Sequence, residues 1–244
     1  MPGPFCPWGF IDILVAVAAF LATIALASMV LSPWVPTDGE SPIWVNHAVN
    51  AACGVATALV ILTLLHRRYG LWARDAGLTL DRWPVDLALA VVLMLLVIAV
   101  WVPMGGFFEW LRQRANAPKE PQVAIRQMLS VKDPVPLAVM LFGALVVAPL
   151  WEEFAFRGFL QPYLRRRLGP GAGLVLTAAV FSLIHDPFSR FLRVPVMMLP
   201  LALALGFARE RTGRLAAPIL LHLLTTSLTL IGVFAVGPSA PHTP

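Results

Sequence analysis

The amino-acid sequence predicts an all-α protein, a polytopic bundle of about seven transmembrane helices with one additional interfacial amphipathic segment. Composition is the first observation behind this prediction: apolar residues make up 59% of the chain and charged residues only 13%, whereas soluble domains carry about 25% charged residues. The second is a mean hydropathy of +0.79. The third is that the apolar residues form long runs, and a run of about 20 residues is long enough to span a bilayer.

Turn residues and charges delimit seven apolar runs. The first run contains Asp12, has no basic residue before it and is too long for a signal-peptide core, so we expect an uncleaved first span. The fifth and sixth runs are short for a hydrocarbon layer of about 30 Å, and their ends are the least well defined. The predicted spans are residues 10–31, 45–65, 84–103, 134–160, 171–185, 194–209 and 215–236.

The segment 107–133 has a different character from the spans. It mixes aromatic residues such as Phe107 and Trp110 with basic residues such as Arg112 and Arg114. This mixture is typical of a helix or elbow that lies in the membrane interface. We therefore divide the chain into N-terminal membrane helices with the elbow (1–133), a helical core (134–236) and a short tail (237–244).

The distribution of charge predicts orientation and location. Lys and Arg residues are more numerous in the loops that face the cytoplasm if the N-terminus is cytoplasmic. The arginines cluster at helix ends and form no stripe for nucleic acid. Cys6 and Cys53 are too few for a disulfide framework or a cysteine-based zinc site. A composition rich in Ala, Val and Arg with few Lys favours a bacterial inner membrane, and the sequence does not indicate an oligomeric state.

Ionisable residues interrupt the most apolar part of the chain. Each costs roughly 2.5–3.5 kcal/mol at the centre of a membrane helix, so such residues are functional candidates by default. Counted from the predicted helix ends, they lie at similar depths on three helices and can converge. They are Glu152, Glu153, Arg157, His185 and His222.

The first cluster, Trp151-Glu152-Glu153-Phe154-Ala155-Phe156-Arg157-Gly158, divides into two parts. Glu153 and Arg157 are four residues apart, which is an ion-pair spacing on a helix. Glu152 points about 100° away from that face, because successive helical residues are offset by this angle. We therefore predict a structural pair of Glu153 with Arg157 and a chemical role for Glu152. A salt bridge that merely ties helices together is the alternative.

Each histidine motif is weak alone, because a single membrane histidine is more often a hydrogen-bonded link between helices than a catalyst. His185 ends the run Phe181-Ser182-Leu183-Ile184-His185, and His222 ends Pro218-Ile219-Leu220-Leu221-His222. Thr226 lies four residues after His222 and shares its helix face.

Together the three motifs resemble the CPBP family, the CAAX-prenyl-protease-type (Rce1-like, "Abi") intramembrane proteases. The resemblance rests on E-E-x-x-x-R at 152–157, F-x-x-x-H at 181–185 and the late histidine followed four residues on by a polar residue. The resemblance extends to Phe156-Arg157-Gly158 and Arg211-Thr212-Gly213. It covers approximately residues 135–230. The first three spans share only their hydrophobicity with this family.

The resemblance implies an intramembrane endopeptidase that hydrolyses peptide bonds with a glutamate-activated water. Glu152 would be the general base and His185 would hold and polarise the water. His222 and Thr226 would stabilise the tetrahedral oxyanion. The substrate would be a membrane-associated peptide or protein in the lipid bilayer. The family commonly has Asn where this chain has Thr226, so either Thr226 or Thr225 substitutes, or the enzyme is slow, or proteolysis has been lost.

Two questions stay open at this point. Glu152, His185 and His222 match the ligand count of a catalytic zinc site, yet the chain has no H-E-x-x-H motif. We expect chemistry without a cofactor, with zinc as the alternative. The main alternative to a protease is a non-catalytic membrane immunity or regulatory scaffold. A proton relay or small transporter is a third, although the first three spans supply few polar residues for a path.

Overall fold

A computed structural model of the chain describes residues 6–31, 43–117, 123–185 and 192–236. All regular structure in these ranges is helical, as the composition predicts. The predicted tail, 237–244, lies outside the described residues. The α-helices are α1 (Phe10–Leu31), α2 (Ile43–Tyr69), α3 (Trp83–Arg114), α4 (Val123–Ser130), α5 (Pro134–Phe142), α6 (Ala148–Glu153), α7 (Gln161–Leu168), α8 (Pro170–Leu183), α9 (Arg193–Thr212) and α10 (Ala216–Val236).

Five helical stretches are long and apolar enough to cross a membrane. One of them, Pro134–Leu168, joins α5, α6 and α7 through two π-helical turns, and we call it the site helix. The other four are α1, α2, α3 and α10. Helix α8 is apolar but has 14 residues, and α9 is not among the five. The all-α polytopic bundle is confirmed, whereas the number of seven spans stays a prediction.

Two predicted helix ends are wrong. The third span was expected to end at Pro103, but α3 continues to Arg114 and has 32 residues. A proline inside a membrane helix is tolerated where neighbouring groups compensate, and the Glu109–Arg112 pair stabilises the last turns. Residues 107–114 therefore continue α3 as a helix, one of the two forms predicted for this segment, and its place in the membrane interface stays a prediction. Of the rest of that segment, 123–130 forms α4, and 118–122 lie outside the described residues.

The fourth span also runs further than predicted, to Leu168 instead of residue 160. Its last two turns carry polar side chains that find partners on α9. The side-chain amide of Gln161 donates to the Gly206 carbonyl at 3.1 Å. Arg165 forms an ion pair with Glu210. These contacts keep a polar stretch helical and hold α7 against α9.

The bundle core lies between α3, α8, α9 and α10. Buried side chains from each helix meet there, including Leu93, Phe181, Leu205 and Leu221. Helix α1 packs against α2 on the outside, and only 6% of its span is buried within the protein. This arrangement places the ionisable residues of the site helix and α10, and His185 two residues after the end of α8, around the bundle interior.

A short N-terminal strap, residues 6–9, crosses the end of the site helix. Trp8 is 1% exposed, and its indole N–H donates to the Phe159 carbonyl at 2.9 Å. Arg166 donates to the carbonyls of Cys6 at 2.8 Å and Trp8 at 2.7 Å. Burial raises the pKa of the Cys6 thiol to about 11, although the Arg166 charge acts in the opposite direction. The strap thus fixes one end of the helix that carries the two glutamates.

Candidate active site

The site helix changes from α-helical to π-helical geometry on both sides of its two glutamates. Residues Gly143–Val147 and Phe154–Leu160 are π-helical, and the short helix Ala148–Glu153 lies between them. Pro149 in that short helix has no N–H to donate, which weakens the regular hydrogen-bond ladder. Single π-helical turns inside α-helices occur frequently at functional sites. The glutamates therefore project from a stretch whose side-chain directions depart from a regular helix.

Glu153 and Arg157 form a fully buried ion pair. Neither side chain is exposed, and the Arg157 guanidinium donates to Glu153 Oε1 at 3.0 Å. Its other terminal nitrogen donates to the Ala202 carbonyl at 3.2 Å, and its Cζ lies 4.2 Å from the centre of the Phe181 ring. Because a buried charge must be compensated, this pair and its carbonyl partner form one structural unit.

His222 is attached to the same pair. Its Nδ1 lies 2.9 Å from Glu153 Oε1, and a carboxylate can only accept, so Nδ1 carries the proton. The hydrogen bond fixes the tautomer and the direction of the imidazole, and it leaves Nε2 as the unbound ring nitrogen. Glu153 therefore orients a second functional candidate as well as pairing with Arg157.

Glu152 has different surroundings from its neighbour. It lines an internal cavity, and its Oε2 has no hydrogen-bond partner among the described residues. The nearest cationic candidate is His185, whose Nε2 lies 3.8 Å from Oε2. His185 Nδ1 is 2.6 Å from the Phe181 carbonyl, which can only accept. The Nε2 of a neutral His185 therefore offers a lone pair towards the cavity.

The cavity has a volume of about 370 Å³ and is bounded by α2, α3, α4, the site helix, α8, α9 and α10. A volume of this size suits a segment of a few side chains. Its polar lining residues are His47, Asn50, Glu152, His185, His222, Thr225, Thr226 and Thr229. Methionines and other apolar residues line the remainder. Glu152, His185 and His222 thus face one common space.

The comparisons with known proteins agree with this geometry. Residues 134–228 match the family model of the type II CAAX prenyl endopeptidases, Rce1-like. This part of the chain is similar to the Rce1-like family. The five ionisable residues that the sequence analysis singled out lie inside the matched Rce1-like region.

A curated relative matches over a similar length. It is an uncharacterized 24.3 kDa protein of Escherichia coli, 32% identical over 93 residues. The match covers 37% of this chain and 42% of the relative, so the chain spans less than half of that protein. No solved structure matches significantly. The predicted family is confirmed, and the family supports an endopeptidase at that level of description.

Thr225 and Thr226 differ in their surroundings. The Thr225 hydroxyl is 1% exposed and lies 2.9 Å from the Leu221 carbonyl and 3.0 Å from the His222 carbonyl, to which it can donate. Thr226 is half-buried and lines the cavity. Of the two, Thr226 has the hydroxyl that is better placed to meet a ligand in the cavity.

Helix α2 contributes residues that the sequence reasoning missed. His47 and Asn50 line the cavity, and a His47 ring nitrogen lies 3.0 Å from Gln127 Oε1 on α4. Both lie outside the Rce1-like region, where no motif marked them. The available signal was the presence of polar side chains early in an otherwise apolar span.

The fit to a metal ion is poor. Among the described residues, no group of three His, Cys, Asp or Glu side chains is arranged to hold an ion. His222 Nδ1 is already bound to Glu153, and Glu152 approaches only one imidazole within 4 Å. A catalytic zinc site takes three protein ligands. We therefore derive no step of the chemistry through a metal.

Gly54 on α2 sets the position of the indole next to Glu152. A Cβ at this position would lie 2.5 Å from Cε2 and Nε1 of Trp151. We expect Gly54→Ala to push Trp151 towards the cavity and to lower the free energy of unfolding by about 1–3 kcal/mol, as overpacking does. Thermal unfolding in detergent measures the change. Gly232→Ala is the matched control, because nothing lies within 4 Å of its Cβ; equal stability of the two variants would contradict the prediction.

Proposed function

We propose that the chain is an intramembrane endopeptidase and that its cavity hydrolyses peptide bonds of membrane-associated peptides or proteins. The observation that carries the proposal is the contrast between two adjacent carboxylates. Glu153 is bound to Arg157 and His222 and does not line the cavity, whereas Glu152 lines the cavity beside His185. A carboxylate in this position suits a general base.

The proposed reaction begins with a water molecule held by Glu152 and the Nε2 of His185. Glu152 takes a proton from the water as its oxygen attacks the peptide carbonyl, and a C–O bond forms. Donors in the wall of the cavity stabilise the oxyanion of the tetrahedral intermediate. The C–N bond then breaks as Glu152 returns the proton to the leaving amine. Within the Rce1-like region the donors are the Thr226 hydroxyl of α10 and, when the ring carries a second proton, Nε2 of His222.

We also propose a location and an orientation, a bacterial inner membrane with the N-terminus in the cytoplasm. The five apolar stretches support an integral membrane protein, and the bias of Lys and Arg supports the orientation. Arg74 lies in the loop between α2 and α3, on the predicted cytoplasmic side. A cysteine introduced there should react with an impermeant reagent only from the cytoplasmic side. Reaction from the other side would overturn the orientation.

Cleavage by the purified full-length chain in liposomes tests the proposed activity. A library of membrane peptides, with and without a prenylated cysteine, is incubated with the wild type, Glu152→Ala and His222→Ala, each with and without a chelator. Cleavage that disappears in both variants and persists with the chelator supports the proposal. Cleavage by Glu152→Ala at the wild-type rate overturns it, and loss with the chelator assigns the histidines to a metal.

The second candidate is a non-catalytic membrane scaffold with an immunity or regulatory role. The observation that favours it is Thr226 in place of the carboxamide common in the family, because one hydroxyl is a weaker oxyanion donor. A folded wild type that cleaves no member of the library would support this candidate. Tolerance of Glu152→Ala in a cellular assay would support it further.

A further inference from the structure

Asn50 of α2 is a polar residue that has no role in the reaction proposed above. It lies seven residues after the start of α2 at Ile43, about 10 Å along the helix axis. Its side chain is exposed and lines the cavity. Polar side chains at membrane depth are usually partnered or functional, and no hydrogen bond of the Asn50 carboxamide is found within the described residues.

The packing of α2 places Asn50 and Glu152 towards opposite ends of the same cavity. Ala51, the next residue, faces Gly143, whose added Cβ would lie 3.9 Å from the Ala51 methyl group. Gly143 precedes Glu152 by nine residues on the site helix, about 13 Å along its axis. The Glu152 side chain, a water molecule, a peptide carbonyl and the Asn50 carboxamide can together bridge a separation of this size.

Most other donors around the cavity are occupied. The Thr225 hydroxyl lies within bonding distance of two backbone carbonyls, and the Trp101 indole N–H donates to the Met197 carbonyl at 2.6 Å. His185 Nδ1 is bound to the Phe181 carbonyl. His222 donates its Nδ1 proton to Glu153, so its Nε2 donates only when the ring is protonated. Of the remaining donors, the Thr226 hydroxyl is weak and the Trp151 indole N–H lies against Gly54.

We propose that Asn50 is a catalytic residue whose carboxamide N–H stabilises the tetrahedral oxyanion from the α2 side of the cavity, opposite His222 and Thr226. The inference rests on the proposed peptidase function. A carboxamide N–H is a fixed dipole that needs no change of protonation, and preorganised donors of this kind act most strongly in a site that excludes water. In this chain the carboxamide comes from α2, outside the Rce1-like region.

Steady-state kinetics of three full-length single variants and one double variant test this role. Asn50→Ala should lower kcat by about 100- to 1000-fold, the typical effect of removing one oxyanion donor, with KM changed less than about threefold because the interaction forms only in the transition state. Asn50→Asp keeps the size of the side chain and should be at least as impaired, because its carboxylate repels the oxyanion. Asn46→Ala removes the same group from α2 at a position that does not line the cavity, and it should retain wild-type kcat.

Moving the carboxamide from α2 to α10 distinguishes a catalytic role of Asn50 from a role in packing. Thr226→Asn places a carboxamide on α10, one turn after His222. In the Asn50→Ala background it should recover at least about tenfold of the lost kcat, since one donor is restored. Loss of kcat in both Asn50 variants without this recovery would assign Asn50 to packing and overturn the proposal.

The remaining outcomes distinguish this inference from the proposed function. Cleavage that requires Glu152 but proceeds at the wild-type rate in Asn50→Ala overturns the role of Asn50 alone. An increase in KM without loss of kcat does the same, because it indicates ground-state binding. If the wild type cleaves no peptide, or if Glu152→Ala cleaves as well as the wild type, the proposed function fails and this inference fails with it.

Discussion

Replacing Glu152 with glutamine is expected to lower kcat by about 100- to 10,000-fold, the usual contribution of a general base. Glutamine has the same shape but cannot accept the proton of the attacking water. The fold should be unaffected, because Glu152 Oε2 has no hydrogen-bond partner among the described residues and the side chain faces the cavity. Peptide cleavage and thermal unfolding of the same preparation give the two measurements.

The same substitution at the adjacent position is the matched control. Glu153→Gln removes the charge that faces Arg157 and weakens the bond to His222. We expect it to lower the stability of the protein, whereas Glu152→Gln lowers catalysis at unchanged stability. Full activity of Glu152→Gln, or equal loss of stability in the two variants, would show that the two carboxylates do not have the different roles assigned to them.

Replacing Arg157 with leucine is expected to lower the free energy of unfolding by about 3–5 kcal/mol, the range found when one partner of a buried ion pair is removed. The substitution leaves the Glu153 carboxylate buried without its counter-charge and deprives the Ala202 carbonyl of its donor. Reversible unfolding in mixed detergent micelles measures the difference. Loss of activity should follow from the loss of structure, because Arg157 does not line the cavity.

Arg167→Leu is the control for this prediction. Arg167 lies ten residues further along the site helix and is exposed, and no ion pair involving it is found within the described residues. Surface substitutions of this kind usually change stability by less than about 0.5 kcal/mol. If Arg157→Leu unfolded as the Arg167 variant does, the buried pair would contribute nothing measurable to the fold.

The sequence predicts the helices well where apolar runs end at charged or turn residues. The bounds of α1 and the approximate bounds of α8, α9 and α10 follow from this pattern. The two wrong ends have different causes: the fourth span continues because of partners distant in sequence, whereas α3 continues past Pro103 with a local pair, Glu109 and Arg112. Polar residues such as Gln161 remain helical because α9 supplies carbonyl and carboxylate acceptors. A local pattern does not contain that information.

The sequence predicts the part of the candidate site whose residues lie in motifs with a recognisable spacing. The spacing of Glu153 and Arg157 predicted their contact, and the three motifs predicted a common location for Glu152, His185 and His222. The hydrogen bond from His222 to Glu153 was not predictable, because it depends on the approach of α10 to the site helix. The contribution of Asn50 was missed for the same reason, since α2 carries no motif. The π-helical turns have no recognisable sequence signal beyond Pro149.

The N-terminal strap has a consequence for the order of assembly during synthesis. The partner of Trp8, the Phe159 carbonyl, is made 151 residues after it. At about 5–20 residues per second, this separation corresponds to roughly eight to thirty seconds of translation. Throughout that interval α1 can insert, but the strap has no docking surface. The strap is therefore made before the helix that it crosses and reaches its final place after it, and the site helix is anchored only after α7 has emerged.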